Sequence, residues 1–423
     1  MLITNIGRLV TMTPAKDRDG GCLGVIKNAT VEMAGKKIKW VGTLTNVPTY
    51  QRTNVLDARG CVVIPGLIDC HTHLVHADSR ADEFAMRARG ATYEEIAKAG
   101  GGIMSTVSVT RAASEDELFE LAKTRAMESL SHGVTTIEVK SGYGLDLETE
   151  LKMLRVVKRL GKELPQDFVP TFLAHMVPSS EFMPAAPSPL PSPSRGEGEG
   201  GGGRVKYVRL ITNQLLPAIA AEGLAKFCDV FVEKIAFTKN EAEEILKASA
   251  KLGLKPKLHA DQLSSNGGAV LAAKLKAVSA DHLEHVTKKG VAAMAKAGVT
   301  AVLIPSSTFF IGGKYAPARQ MINAGVNVAI STDYNPGTSP ILNLWLAATM
   351  AVTQMKLAPE EAYKGITINA ARAIGMETTH GSIAPGKVAD LVILNTKNEF
   401  DPFYRFDKTF VEKVVKSGAI VNS

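Results

Sequence analysis

Val62-Val63-Ile64-Pro65-Gly66-Leu67-Ile68-Asp69-Cys70-His71-Thr72-His73 is the stretch from which the rest of the chain can be read. An apolar run reaches Ile64, a Pro-Gly step follows, and a second short segment ends in two histidines at i and i+2. Side chains two apart on a β-strand share one side. His71 and His73 therefore project together from a strand end, with Thr72 facing away. Two imidazoles placed this way can begin a divalent-metal site, which needs further protein ligands and one position left for water.

Downstream of this strand, apolar β-type runs alternate with helical stretches, the pattern of βαβ units around a parallel sheet. The runs are Thr135–Lys140, Phe168–Leu173, Val230–Glu233, Pro256–Ala260, Ala280–Leu283, Thr300–Ile304 and Val326–Thr332. With the opening strand they make about eight, the number that closes a TIM-type (β/α)8 barrel. Between them, Glu115–Leu130 and Glu148–Leu160 carry apolar residues at helical spacing. Upstream, Ala29–Met33 turns through Ala34-Gly35-Lys36-Lys37 into Ile38–Gly42, a hairpin. A few such strands are marginal alone. Leu391–Leu394 and Phe410–Lys416 supply partners from the other end. The expected organisation is a small β-sandwich built from residues 1–63 and 381–423, around a barrel over residues 64–380. Within the barrel, Pro184 to Gly203 is rich in Pro, Ser, Gly and Glu, and is expected to be a surface loop over 184–203.

Composition narrows the function classes. The 423 residues carry a net charge of +7, with 45% apolar and 22% charged residues, as in an ordinary globular enzyme. Basic residues are interleaved with acidic ones, so no nucleic-acid stripe is read. No apolar span reaches membrane length and no secretory leader is evident. Cys22, Cys61, Cys70 and Cys228 form no CxxC pair. A soluble protein of the reducing cytoplasm is expected.

Catalytic groups of a barrel sit at the carboxyl ends of its strands. Polar residues gather at those ends: His71 and His73, Tyr143, His175, His259 followed by Asp261 and Gln262, His282, and Asp333. Imidazoles and a carboxylate around one ion suit metal-assisted hydrolysis, in which a bound water's pKa falls to about 7. Asp333 can take that water's proton and pass it to the leaving group. His282 can stabilise charge growing on the attacked carbonyl oxygen. Lys140 raises the alternative of a carbamylated bridge between two metals.

The histidine-ended strand, the later single histidines, Asp333 and the tail Gly381–Asp390 resemble the amidohydrolase superfamily, and within it the imidazolonepropionase family. The strings that carry the resemblance are Pro65–His73, Ser79-Arg80-Ala81-Asp82-Glu83-Phe84, Ala99–Ile103, Val139–Asp146, His259–Leu263 and Asp333–Ser339. The resemblance implies cytoplasmic hydrolysis of the ring C–N bond of 4-imidazolone-5-propanoate to N-formimino-L-glutamate in histidine degradation. It implies one Zn2+ or Fe3+ per chain on His71, His73, His259 and Asp333, and a homodimer whose partner is a small-molecule substrate. Arg80, Tyr143, His175, Asn335, Gly337 and Thr338 are then substrate contacts. Some members have Glu where this chain has Gln262. The amide can hydrogen-bond at the catalytic centre but cannot act as a base.

Overall fold

The computed structural model describes residues 1–15, 21–43, 54–92, 95–96, 100–182 and 201–421. Most of the low-complexity segment (184–200) and Ala99 of the glycine turn lie outside them. The chain opens with β1 (Leu2–Val10), β2 (Val25–Ala34), β3 (Lys37–Thr43), β4 (Val55–Asp57) and β5 (Val62–Pro65). The barrel strands follow: β6 (Leu67–Thr72), β7 (Val134–Lys140), β8 (Asp167–Ala174), β9 (Phe227–Val232), β10 (Lys255–Ala260), β11 (Ser279–His282), β12 (Thr300–Leu303) and β13 (Val328–Ile330). The chain closes with β14 (Leu391–Leu394), β15 (Val411–Lys416) and β16 (Ala419–Val421).

The eight strands β6 to β13 pair in sequence order, all parallel, into a nearly closed barrel. The seam between β13 and β6 is joined at the carboxyl end. There the Asp333 N–H donates to the His71 carbonyl (3.0 Å) and the His73 N–H to the Tyr334 carbonyl (2.8 Å). Buried Asp69 ties the same seam, accepting from the Thr332 N–H at 3.1 Å, the Thr332 hydroxyl at 2.6 Å and the Ser331 hydroxyl. Helices cover the outside. Glu115–Ser131 begins at the Ser114/Glu117 capping box, and Leu147–Glu163 at Asp146.

Both termini build the second sheet, in the order β16-β15-β14-β5-β1-β2-β3, with β4 beside β1. Its strands enclose an apolar cluster of Ile3, Ile6, Leu9, Val31, Val63, Leu391 and Ile393. The opposite face, including Val62, Ile64 and Val392, joins the main barrel core. This alternation is what a strand buried on both faces requires.

Two expectations change. The opening stretch is two strands, not one: β5 pairs with β14 in the terminal sheet, whereas β6 starts the barrel. The crossing is at Gly66, so Ile64 and Pro65 belong to the terminal sheet rather than to the barrel's first residues. A Cβ at residue 66 would meet the Thr135 hydroxyl at 2.3 Å, so the crossing admits only glycine without rearrangement. The second concerns the low-complexity segment, whose last residues 201–203 belong to the helix Gly201–Leu210.

Candidate active site

A cavity of about 420 Å³ opens at the carboxyl ends of the barrel strands; the expected ligands, catalytic groups and substrate contacts line it except His71, and Asp261 lies outside it. His71 lies beneath, fully buried. Its Nε2 stands 3.4 Å from Asp333 Oδ1, and His73 Nε2 stands 3.3 Å from the same oxygen. The His71 and His259 rings are 4.5 Å apart between centroids, and those of His259 and His282 are 5.1 Å apart. Potential ligand atoms of His71, His73 and Asp333 lie within 4.8 Å of one another, as do those of His71, His259 and His282.

The charge states of these groups decide what the cluster can hold. Burial pushes the His71 imidazole well below its ordinary pKa, helped by the Lys140 ammonium, so its ring is neutral. Its Nδ1 is 2.6 Å from Asp281 Oδ2, which accepts that N–H. Nε2 therefore carries the lone pair, and it has no hydrogen-bond partner among the described residues. Burial alone would raise the Asp333 carboxyl, but His73, His282 and His259 outweigh it and hold it below its ordinary value. A bare imidazole lone pair thus faces an ionised carboxylate with no proton between them. That donor set fits a hard or borderline divalent or trivalent cation. Burial also lowers His259, against the opposing pull of Asp229, whose Oδ2 lies 3.0 Å from its Nδ1. Burial opposes protonation of His282, but the carboxylates of Glu284 (3.8 Å away), Asp333 and Asp281 overcome it and raise its pKa. Asp333 and His282 both have left-handed backbones, with φ of 51° and 78°. For non-glycine residues that is strain of the kind found at functional sites.

The loops bring the remaining residues to the cavity. Tyr143 sits in a turn held by buried Glu150, which accepts the backbone N–H groups of Gly142, Gly144 and Leu145 at 2.8–2.9 Å. Burial, with the charge of Asp333, raises the Tyr143 hydroxyl, which stays protonated. His175 is pushed down to about 3 by burial and by His73 and His259. Its Nδ1 lies 3.1 Å from the Gly142 carbonyl and must donate there, leaving Nε2 as an acceptor. Asn335 lines the cavity, but its amide is used within its own loop. Oδ1 accepts from the Gly337 and Thr338 N–H groups, and Nδ2 donates to the Asp333 carbonyl. Gln262 lines the cavity beside Asp261, whose carboxylate accepts the N–H groups of Gly267, Gly268 and Ala269.

Arg80 lines the cavity and is paired with a carboxylate of its own loop. Glu83 takes one edge of the guanidinium, at 2.8 Å from Nε and 2.5 Å from Nη2. The pair is not on the surface: the two side chains are 16% and 10% exposed. Nη1 lies against Gly337, where a Cβ would meet it at 2.2 Å. The Nη1 edge is the part of Arg80 left to face a ligand.

Beneath the cavity lies an ionic layer of which only Lys140 stands out in the sequence. Glu138, Lys140, Asp229, Lys257 and Asp281 are all fully buried inside the barrel. Their signal was present: charged residues interrupt apolar strand runs, and Glu138/Lys140 and Lys257/His259 are spaced i, i+2. Lys140 Nζ is 2.8 Å from Asp229, 3.1 Å from Glu138 and 3.3 Å from Asp281. Burial disfavours its charge, yet these carboxylates raise it well above the ordinary lysine value. A protonated amine so clasped is not available to form a carbamate. A third group, Asp167, His380 and Asp390, lies elsewhere, and the Lys416 ammonium contacts both carboxylates at 2.6 and 2.8 Å.

Residues 76–422 match the amidohydrolase family. The chain is 45% identical to the imidazolonepropionase of Pseudomonas savastanoi pv. phaseolicola, over 94% of this chain and 95% of that protein. It is 46% identical to that of Myxococcus xanthus, over 99% and 96%. Among solved structures, a triazine hydrolase variant superposes with a TM-score of 0.73 at 17% identity, covering 99% of this chain and 94% of that one. The zinc complex of the atrazine chlorohydrolase from Arthrobacter aurescens superposes with a TM-score of 0.70 at 17% identity, with the same coverage. Among the described residues no helix is long and apolar enough to cross a membrane. The cavity at the strand ends, the barrel that carries it and the full-length identity agree: this chain belongs to the imidazolonepropionase family of amidohydrolases and is a hydrolase.

Proposed function

We propose that the enzyme hydrolyses the ring C–N bond of 4-imidazolone-5-propanoate, giving N-formimino-L-glutamate in histidine degradation. The observation that carries this reading is the charge layout of one cavity. A bare imidazole lone pair meets a carboxylate at its base, and a guanidinium edge at Arg80 answers the propionate. His71, His73, His259 and Asp333 would hold a single Zn2+ or Fe3+. When bound, that ion supplies a water acidified to a pKa of about 7. Asp333, ionised at neutral pH, takes the proton of the attacking water and returns it to the departing ring nitrogen. His282, its pKa raised by nearby carboxylates, donates toward the carbonyl oxygen as charge develops there. Gln262 hydrogen-bonds at the same centre without exchanging a proton.

Substrate is oriented by groups of fixed polarity. The Tyr143 hydroxyl donates and His175 Nε2 accepts, which suits the carbonyl and N–H of an imidazolone ring. The Nη1 edge of Arg80, backed by Gly337 and Thr338, holds the tail carboxylate. Asn335 shapes this wall through its loop hydrogen bonds. The same reading takes the enzyme as a cytoplasmic homodimer, which sedimentation of the purified protein would test. The chemical test is product identification. Incubation with 4-imidazolone-5-propanoate should yield N-formimino-L-glutamate without ammonia. Ammonia release from a cyclic amidine substrate instead would favour a deaminase of the same superfamily.

A further inference from the structure

We propose that Lys140 is a positioning residue that holds two metal-binding histidines through two shared carboxylates. The proposal rests on the metal reading above. The same oxygen, Asp281 Oδ2, faces His71 Nδ1 at 2.6 Å and Lys140 Nζ at 3.3 Å. Likewise Asp229 Oδ2 faces His259 Nδ1 at 3.0 Å and Lys140 Nζ at 2.8 Å. One ammonium therefore sits behind both imidazoles. The other carboxylate oxygens are also fixed: Asp229 Oδ1 accepts the His259 backbone N–H at 3.0 Å, and Asp281 Oδ1 accepts the Ser279 hydroxyl at 2.5 Å. Neither carboxylate can turn without losing two partners.

Stability alone does not call for this arrangement, because well-packed apolar residues commonly replace buried ion clusters without loss. Its placement has a different consequence. A carboxylate behind a ligating imidazole sets its tautomer and orientation, and losing such partners typically costs 10–100-fold in metal affinity. The second buried lysine provides a control. Lys257 Nζ contacts Glu138 at 2.6 Å but stands 3.9 Å from Asp281, and no contact joins it to Asp229 among the described residues. It neutralises the cluster through Glu138, without touching at short range the carboxylate oxygens of Asp229 or Asp281 that face the two imidazoles.

The experiment compares full-length wild type, Lys140→Met, Lys257→Met and Lys140→Met/Glu138→Gln, each loaded with Co2+. The readouts are the visible ligand-field spectrum and the rate of metal loss to a chelator. The double variant removes one charge of each sign, so the cluster keeps its net charge. Expected are a shifted spectrum and metal loss faster by about 10-fold or more in both variants that lack Lys140, with Lys257→Met unchanged. Wild-type spectrum and rate in a folded Lys140→Met or in the double variant would overturn the assignment, as would an equal change in Lys257→Met. A double variant that fails to fold also counts against it, since the pair would then be a stability device. Wild-type protein that takes up no Co2+ would overturn the metal reading itself, a result distinct from all of these.

Discussion

Among single residues, Asp333 and Arg80 separate the proposed chemistry from the proposed recognition of substrate. Asp333→Asn keeps the size of the side chain but removes the proton acceptor and weakens a ligand. Turnover of fully metal-loaded variant should fall by roughly 10²–10⁴, the usual worth of a general base. Near-normal turnover at full metal content would reassign the proton shuttle. Arg80 tests the substrate instead. Its Nε edge is committed to Glu83, so only the Nη1 edge is available to a carboxylate. Arg80→Lys should lower kcat/KM by about 10–100-fold, the 1.5–3 kcal/mol of a charge-assisted hydrogen bond, and the loss should vanish for an imidazolone lacking the tail. Gly337→Ala probes the same contact from the wall. The new methyl would push Arg80 aside, raising KM for the propionate-bearing ring while leaving the unfolding midpoint nearly unchanged. Equal losses on both substrates in either variant would mean that this pair supports the loop rather than the ligand.

At the scale of elements, the strand ends were legible because strand, turn and polar residue recur in order, and β14 was read with its observed bounds. The sheet that each half of the opening stretch joins was not, since the Pro-Gly step marks a break without showing what either half pairs with. The buried ionic layer was hidden for a related reason: a charged residue inside a strand says nothing of its partners until parallel neighbours are in register. The ends of the low-complexity segment are now placed. A Cβ at Gly203 would meet the Phe182 carbonyl oxygen at 1.2 Å, so a short link can span them. Replacing residues 184–200 by a brief Gly-Ser link should leave the unfolding midpoint nearly unchanged, because loop length costs only about 0.6 kcal/mol per doubling. Loss of folded protein would show that the segment packs. The terminal sheet meets the barrel at Lys416, which pairs with Asp390 and Asp167. Lys416→Met should cost about 1–5 kcal/mol, because it strands the buried Asp390 carboxylate as well as the half-exposed Asp167. Burial pushes the Asp167 carboxyl up, but His380 and Lys416 outweigh it and hold it below its ordinary value. Its contribution is therefore present above about pH 3.9 and is lost as pH falls through the depressed folded value. Denaturation midpoints from pH 7 to pH 3 should show a shallower acid limb in Lys416→Met than in wild type.

At the scale of the whole molecule, the barrel and the terminal sheet make one site possible by different means. The barrel aims the ends of successive strands at one cavity, while the terminal sheet ties β5 to β14 and so fixes where β6 begins. The arrangement at the base of that cavity, a lone pair and a carboxylate facing each other without a proton, is the physical reason to expect a cation there. The most direct test is a metal titration of chelator-stripped enzyme, following hydrolysis of 4-imidazolone-5-propanoate and appearance of N-formimino-L-glutamate. Turnover should be absent without metal and should recover linearly with Zn2+ or iron, with a break at one equivalent per chain. Turnover that survives stripping, or a break at two equivalents, would contradict the proposed single-metal chemistry.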